Sequence, residues 1–318
     1  MISLAALGND LYSGKTSLPF IAKRRIWYTI AIVVIALSAV LVVKPGLNPG
    51  IDFKGGSEVT VTGVADPSEG PGNDVLADKD LSSGSSVTTM GASSVRIQTN
   101  ELDKAQLDEL ASSLATAYDV DSGSVSATTI GPTWSADVTS KAARGLVIFF
   151  LLVGALIWIY FRTWKMAAAA LLALSHDIIV TIGIYAASGF EVTPATIIGV
   201  LTILGYSLYD TVVVFDKIRE NTSHYEAQTR STYAELANLA VNQTFIRSIN
   251  TSVVGVLPVA SLLVVGAFIL GAGTLRDIAL TLFIGMIAGT LSSIFLATPL
   301  LVDLRSREKS IVEQAKRV

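Results

Sequence analysis

The sequence contains no cysteine and only two histidines. The absence of cysteine excludes disulfide bonds, thiolate metal sites and cysteine nucleophiles, although it does not fix the redox compartment. Charged residues make up only 15% of the 318 residues, whereas soluble proteins usually carry about 25%. The net charge of −3 gives no basic excess, so we expect no nucleic-acid partner. The sequence has no nucleotide-binding loop, metal cluster or nucleophile triad, and we expect neither enzyme activity nor a cofactor.

Long apolar runs take the place of the missing charge. Hydrophobic residues make up 51% of the sequence, and the mean hydropathy is +0.57. A bilayer core of about 30 Å needs roughly 20 apolar residues in a helix. Lys23 to Arg25 precede the first run with no cleavage site after it, so we expect an uncleaved first helix. The predicted spans are residues 26–43, 142–161, 166–188, 193–218, 248–270 and 278–301.

The basic residues predict the orientation of these spans, because lysine and arginine in short loops favour the cytoplasm. They are frequent in the N-terminal segment 1–25, in the turn after the second span and in the tail 302–318. The turn after the third span carries Glu191 and no base, and Arg276 is the one short-loop exception. We therefore expect both termini in the cytoplasm, together with an amphipathic segment over residues 219–247.

Residues 44–141 are predicted to form a small α+β extracytoplasmic domain between the first two helices. A leucine face from Leu102 to Tyr118 predicts one helix packed on a sheet. The stretch Pro67 to Ser86 is rich in glycine, serine and proline, which predicts a long flexible loop. The predicted strands are Glu58–Val64, Ser94–Thr99 and Ser124–Ile130. The expected fold is thus a polytopic α-helical membrane protein with six transmembrane helices and this one domain.

His176, Asp177 and Asp210 lie deep inside predicted spans, where charge is expensive. A charged side chain at the bilayer centre costs about 2.5–3.5 kcal/mol on insertion scales, so such residues usually face the bundle interior and have a function. With a rise of 1.5 Å per residue, His176 and Asp177 lie about 15 Å, and Asp210 about 12 Å, from the inner ends of their helices. The sequence therefore predicts one shared polar cluster suited to handling protons.

Asp210 has polar neighbours on its own helix and a basic residue near the start of the next. Ser207 and Thr211 flank it, and Arg247 enters the fifth span on a polar stripe that includes Asn250. A buried carboxyl group beside a cation can be poised to load and unload protons near neutral pH. We therefore hypothesise an ion pair between Asp210 and Arg247.

Some of these residues also have a structural interpretation. His176 and Asp177 fit a pair that only fixes helix packing as well as they fit a proton path. Asp216 lies on another face and nearer the interface, and it is interpreted as an end-of-helix charge. The spacing of Gly285 and Gly289 indicates close helix approach, which is packing rather than chemistry.

Several motifs resemble a known family. They are Gly50-Ile-Asp-Phe-Lys-Gly-Gly56, Gly131-Pro132, His176-Asp177, Asn242-Gln-Thr-Phe-Ile-Arg247 and Gly205-Tyr-Ser-Leu-Tyr-Asp-Thr-Val-Val-Val-Phe-Asp-Lys-Ile-Arg-Glu-Asn221. Together they are similar to the SecF family of protein-export membrane subunits, and the similarity covers residues 20–305. One departure is Tyr209, where many relatives have asparagine, which changes a neighbour of Asp210 and leaves the acid in place.

The resemblance implies an assembly and a task. SecF pairs with SecD in a pseudo-symmetric unit of the RND superfamily, associates with the SecYEG translocon and uses the proton motive force to help move polypeptide. It implies a multi-pass protein of the bacterial cytoplasmic membrane, with membrane lipids, protons and the translocating polypeptide as partners. The position of Asp210 is the proton-conducting acid of the family, and that of Arg247 is its basic neighbour. The first motif implies a strand and turn at the base of the outside domain, with Gly50, Asp52, Gly55 and Gly56 as structural residues.

A mechanism and two alternatives follow. Protonation of Asp210 would remove its attraction to Arg247 and let the fourth and fifth helices shift. The main alternative is an RND-type proton-coupled exporter of small solutes or lipids, which would normally have a larger outside domain with a substrate pocket. The other is a passive assembly factor in which the buried polar residues are only structural.

Overall fold

The structure, a computed structural model, describes residues 4–266 and 273–318. Within them six helices are long and apolar enough to cross a membrane, which confirms the predicted number of spans. Residues 267–270 of the predicted fifth span lie outside the described residues.

The helices are α1 (Leu4–Tyr12), α2 (Arg24–Leu41), α3 (Ile51–Lys54), α4 (Gly70–Asp78), α5 (Lys104–Ala117), α6 (Pro132–Phe161), α7 (Trp164–Ser188), α8 (Pro194–Asn221), α9 (Tyr233–Val264), α10 (Gly273–Ser292), α11 (Thr298–Arg305) and α12 (Lys309–Ala315). The strands are β1 (Asn48–Pro49), β2 (Gly56–Thr62), β3 (Ser86–Met90), β4 (Ser94–Thr99), β5 (Val125–Ile130) and β6 (Glu191–Val192).

Two spanning helices begin well before their predicted spans, because polar sequence extends them past the apolar run. Helix α6 starts at Pro132, a residue suited to the first position of a helix. Helix α9 starts after Thr232, whose side chain accepts a hydrogen bond from the backbone of Glu235 while the Glu235 carboxylate accepts one from the Thr232 backbone. Most of the predicted amphipathic segment and the fifth span are therefore one continuous helix.

The spanning helices divide into a central and an outer set. Most of the buried residues in the spans belong to α7, α8 and α10, whereas α2, α6 and α9 present apolar side chains outward, such as Leu151 and Val254. Gly289 of α10 lies against Ser207 of α8, where an added Cβ would come 2.7 Å from the serine Cβ. Gly285 lies against Ile203 in the same way. The predicted close approach at these glycines is confirmed, and it brings α10 close to the polar residues of α8.

Residues 56–130 form a four-stranded antiparallel sheet in the order β3-β4-β2-β5, with α4 and α5 packed against it. Its core holds the inward side chains of the strands and the leucine face of α5, including Val61, Ile97 and Leu110. Strand β4 and helix α5 occur where the sequence predicts them. The placement of this domain outside the membrane stays a prediction.

The predicted flexible loop from Pro67 to Ser86 is wrong, because this stretch contains α4 and ends at the start of β3. Leu76 of α4 is buried in the domain core. The Tyr118 hydroxyl donates to the Ser68 carbonyl and accepts from the Gly72 backbone N–H, both at 2.9 Å. These contacts come from residues distant in sequence and hold the segment in a helix despite its glycine and proline content, so the domain has two helices instead of one.

Candidate functional site

Asp210 lies on the buried side of α8, at the point where α8 meets α9 and α10. Its Oδ1 atom accepts a 2.6 Å hydrogen bond from the Ser248 hydroxyl of α9. Its Oδ2 atom accepts a second bond from the Ser293 hydroxyl, which follows α10. One carboxylate therefore connects three spanning helices through hydroxyl groups.

The serine ligands of Asp210 lie in a distorted and hydroxyl-rich part of the bundle. Ser293 begins a five-residue π-helical stretch, Ser293–Ala297, between α10 and α11. Such stretches are rare and occur frequently at functional sites. One turn away, the hydroxyls of Ser252 and Thr290 lie 2.5 Å apart and join α9 to α10. Small rotations of these helices would therefore change the ligands of Asp210.

Asp177 forms a second buried carboxylate beside the first. It is 1% exposed, and its Oδ2 atom accepts a 2.7 Å bond from the Ser207 hydroxyl of α8. His176 Nδ1 lies 3.4 Å from the other oxygen. Because Ser207 precedes Asp210 by three residues on α8, the two acids share one polar layer. The Asp177 carboxylate is thus bound to a residue one turn of α8 away from Asp210, and the proton-handling role of this cluster stays a prediction.

Arg247 is not a partner of Asp210 in this structure. Among residues 4–266 and 273–318, no ion pair within 4.0 Å includes either side chain. Successive residues are about 100° apart around a helix axis, so a helix that turns Ser248 toward Asp210 turns Arg247 away. Arg247 is exposed and lines a cavity between the C-terminal part of α8 and the N-terminal half of α9. The hypothesised ion pair is therefore replaced by two serine ligands.

The other predicted neighbours of Asp210 have different surroundings. Ser207 bonds to Asp177 instead of Asp210. Thr211 is buried, and its hydroxyl has no hydrogen-bond partner among the described residues. Asn250 is exposed, because it lies two residues beyond Ser248 on the far side of α9. Tyr209 is 54% exposed and makes no hydrogen bond to Asp210 among the described residues.

The first motif forms the junction between the sheet domain and the helical bundle. Strand β1 pairs in parallel with β6, which lies in the turn between α7 and α8, and the Gly50 N–H donates to the Val192 carbonyl at 2.9 Å. An added Cβ on Gly50 would lie 2.8 Å from a Glu191 carboxylate oxygen, so a larger residue does not fit. The predicted strand and turn is in fact the short helix α3, with Gly50 before it.

The remaining residues of this motif also have structural roles. Gly55 and Gly56 have φ values of 78° and 143°, a region that side chains rarely adopt. A Cβ on Gly56 would also meet the Thr99 carbonyl at 2.5 Å. Burial, together with the charge of Glu191, raises the pKa of Asp52. The motif is therefore built for close backbone contact, with the helical bundle at Gly50 and with the sheet at Gly56.

Several charged residues of the junction were not predicted. Glu191 forms a 2.8 Å ion pair with Arg96 of β4 and accepts a 2.7 Å bond from Gln98. Asp277, in the first turns of α10, is buried and bonds to Arg276 at 3.1 Å and to the Thr193 hydroxyl at 3.0 Å. In the sequence Asp277 precedes the apolar run of the sixth span, and Arg96 belongs to an ordinary strand pattern. The Arg96–Glu191 pair and the Thr193–Asp277 hydrogen bond join segments far apart in the chain, which a single sequence does not reveal.

Two protein-family models match the chain. One is described as "Protein export membrane protein SecD/SecF, C-terminal" and matches residues 110–307. The other is described as "SecD/SecF GG Motif" and matches residues 40–63, the range that contains the junction motif. The matched ranges thus contain both the buried carboxylates and the junction.

Similar proteins carry consistent names. The protein translocase subunit SecF of Streptomyces coelicolor is 45% identical, over 100% of this chain and 85% of that protein. The subunit of the same name from Mycobacterium tuberculosis is 42% identical, over 97% of this chain and 72% of that protein.

One solved structure has the same fold. The crystal structure of SecDF, a translocon-associated membrane protein from Thermus thermophilus, matches with a TM-score of 0.80 and 29% identity over 92% of this chain. The chain spans only 39% of that longer SecDF chain. The chain belongs to the SecD/SecF family of protein-export membrane proteins, on its SecF side.

Proposed function

We propose that this chain works with a SecD-type partner to convert the proton motive force into polypeptide movement through the SecYEG translocon of a bacterial cytoplasmic membrane. Membership of the family supports the export task, and the longer SecDF relatives support a SecD-type partner. The basic residues of the short loops favour an orientation with both termini in the cytoplasm. The observation that carries the proton-driven part is the hydroxyl coordination of Asp210.

Protonation of Asp210 changes its hydrogen bonding in a defined way. An ionised carboxylate only accepts hydrogen bonds, whereas a protonated one has a donor of its own. Ser248 and Ser293 both donate to the carboxylate, so a proton on either oxygen adds a donor, and one serine hydroxyl has to turn before it can accept from it. Because the two serines belong to different helices, each proton would shift the contacts of α8 with α9 or with the π-helical stretch.

The available energy fits such a shift. A membrane potential of 100 mV supplies about 2.3 kcal/mol per proton. A hydrogen bond to a charged group contributes about 1.5–3 kcal/mol. One proton can therefore exchange about one such bond, and preventing a polypeptide from sliding back is more consistent with this amount than forcibly unfolding it. Asp177, linked to α8 through Ser207, is the second carboxylate of the proposed path, with His176 as its neighbour.

Proton flux and export in the same vesicles test this proposal. The full chain, co-purified with its SecD-type partner, would be reconstituted with a translocon, and the pH inside the vesicles would be followed under an imposed potential. We expect Asp210→Asn to abolish both flux and potential-driven export. Asp137→Asn, at an exposed carboxylate of α6, is the matched control and should retain both. Full flux and export with Asp210→Asn would contradict the proposal and would favour a passive assembly factor in which the buried polar residues are only structural.

One observation favours the alternative of a small-solute exporter. An apolar cavity of about 470 Å³ lies between α6, α7, α8 and the segment that includes Leu47 and Phe53. Its size is within the range of small-molecule sites. Potential-driven efflux of an apolar fluorescent solute from the same vesicles, without translocon or polypeptide, would support this function over polypeptide export.

A further inference from the structure

We propose that the cavity at the inner end of α8 and α9 is a hydrated vestibule through which protons leave Asp210, and that Asp216 is the carboxylate that exchanges them with water. This inference rests on the proposed function. The cavity has a volume of about 590 Å³ and opens at the end of the bundle that carries both terminal segments. Its polar walls are formed by Tyr12, Tyr160, Asp216, Lys217, Glu220, Gln243, Thr244 and Arg247.

The composition of the walls indicates that the cavity holds water. It contains side chains of both charge signs, and Asp216 and Arg247 are exposed. A cavity needs about 10–15 Å³ for one water molecule, and polar cavities are hydrated whereas apolar ones stay dry. The cavity on the other side of the cluster, between α6, α7 and α8, is lined mainly by leucine, isoleucine, valine and alanine and by no charged side chain among the described residues.

The vestibule comes within one helical turn of Asp210. Val213 lines it and follows Asp210 by three residues on α8, and Thr244 lines it and precedes Ser248 by four residues on α9. One turn of helix is about 5.4 Å long. Because Ser248 donates directly to Asp210, a ligand of the carboxylate and a wall residue of the vestibule lie on adjacent turns of α9.

The opposite direction has no comparable polar opening among the described residues, because the cavity on that side is apolar. Toward the outer end of the cluster, Tyr185 and Thr281 are 2% and 0% exposed and bond to each other at 2.5 Å. Gly289 lies directly against Ser207, without room for a methyl group. Within the described residues, this conformation therefore places Asp210 near inner water and separates it from the outer side. That arrangement suits release of a proton inward.

Asp216 is suited to receive that proton. It lies six residues beyond Asp210 on α8, and the Tyr160 hydroxyl donates to it at 3.5 Å. The other charged and titratable groups around it are Lys217 and Glu220 on α8, Arg247 on α9 and Tyr12 on α1. Lys217 is already paired with Glu220 at 2.8 Å, and no cation lies within 4.0 Å of Asp216 among the described residues. An unpaired carboxylate in water can bind a proton as an O–H and pass it to bulk water.

Thiol labelling tests the vestibule without reference to proton transport, because the natural chain has no cysteine. Val213→Cys places a thiol on the vestibule wall, and Val214→Cys, one residue on, places it in the packed core. Because thiol reactivity follows exposure and thiolate character, a charged, membrane-impermeant thiol reagent should label position 213 at least about tenfold faster than position 214. It should do so from the face that carries the termini. Equal rates, or labelling only from the opposite face, would overturn the vestibule.

Proton flux tests the role of Asp216 in the full chain with its partner. A positioned general acid or base typically accelerates a proton-transfer step by 10²–10⁴-fold. Because water can partly bypass Asp216, we expect Asp216→Asn to lower proton flux by about tenfold. Asp216→Glu should restore it, which a merely structural charge at the helix end would not require. Asp137→Asn, at an exposed carboxylate of α6 that does not line the vestibule, is the control and should leave flux unchanged. Wild-type flux in Asp216→Asn, with flux abolished in Asp210→Asn, would refute this inference and leave the proposed function intact.

Discussion

The buried carboxylates of this protein form two groups that differ in what holds them. In the bundle centre, Asp210 and Asp177 accept hydrogen bonds from serine hydroxyls, and within the described residues His176 is the one basic side chain within 4.0 Å of either carboxylate. At the junction with the sheet domain, Glu191 and Asp277 are each paired with an arginine. Both groups are almost fully enclosed by protein.

This difference determines what each acid can do. Removing the charge of a buried acid that is paired with arginine leaves an uncompensated cation, which costs about 3–5 kcal/mol. Removing the charge of an acid held by hydroxyls leaves only neutral groups that can reorient. The junction is therefore suited to a permanent connection, and the bundle centre to a change of protonation. The same residue type serves two purposes because its neighbours differ.

The largest effect is expected from breaking the junction pair with Glu191→Gln. Arg96 and Glu191 have side chains only 11% and 10% exposed, so the guanidinium would remain buried with its nearest other acid, Glu58, at 3.9 Å. We expect the free energy of unfolding in detergent to fall by about 3 kcal/mol. The control Glu109→Gln breaks an exposed pair with Lys79 and should cost less than about 1 kcal/mol.

A double variant sharpens this prediction. Arg96→Met combined with Glu191→Met removes both charges and should recover most of the lost stability, since apolar replacement of a whole buried pair is often neutral. If Glu191→Gln alone were no more destabilising than the Glu109 control, the junction pair would be no stronger than a surface pair, and the proposed contrast between the two groups would fail.

Much of the fold follows from local sequence, whereas the ligands of the acids do not. Six apolar runs are sufficient to predict the spanning helices, and a leucine face is sufficient to predict α5. The partner of Asp210 depends instead on the rotation of α9 about its axis, which turns Ser248 inward and Arg247 outward. Ser248 and Ser293 are small hydroxyl residues among many, and nothing in their spacing distinguishes them. The charge of Arg247 predicts an ion pair with Asp210, whereas the rotation of α9 places the neighbouring Ser248 at the carboxylate.

A smaller effect on stability is expected from Asp210→Asn. The amide oxygen can still accept from one serine, and the amide nitrogen can donate to the other once that hydroxyl rotates. We expect the free energy of unfolding to change by about 1 kcal/mol or less, the range of a neutral hydrogen bond, while proton flux is lost. A loss as large as that of Glu191→Gln would contradict the idea that hydroxyl ligands tolerate neutralisation of this carboxyl.

The smallest effect concerns Glu308, a cation-paired acid outside the spans, and it appears in the pH dependence of stability. Burial would raise the pKa of Glu308, but hydrogen bonds from Arg305 and Lys165, at 3.0–3.1 Å, outweigh it and lower that pKa below its usual 4.5. A carboxyl whose pKa is lower in the folded state stabilises the fold above its unfolded pKa, and this contribution is lost as the pH falls through the folded pKa. Thermal unfolding measured from pH 6 downward should therefore show a loss that begins near pH 4.5 in the wild type. In Glu308→Gln this loss of stability on acidification should be smaller than in the wild type. The difference should be less than about 1 kcal/mol, because the group is partly exposed. Identical pH profiles would mean that Arg305 and Lys165 do not stabilise the charged form of Glu308. The distinction between carboxylates bound by cations and carboxylates bound by hydroxyls would then apply only to fully buried side chains.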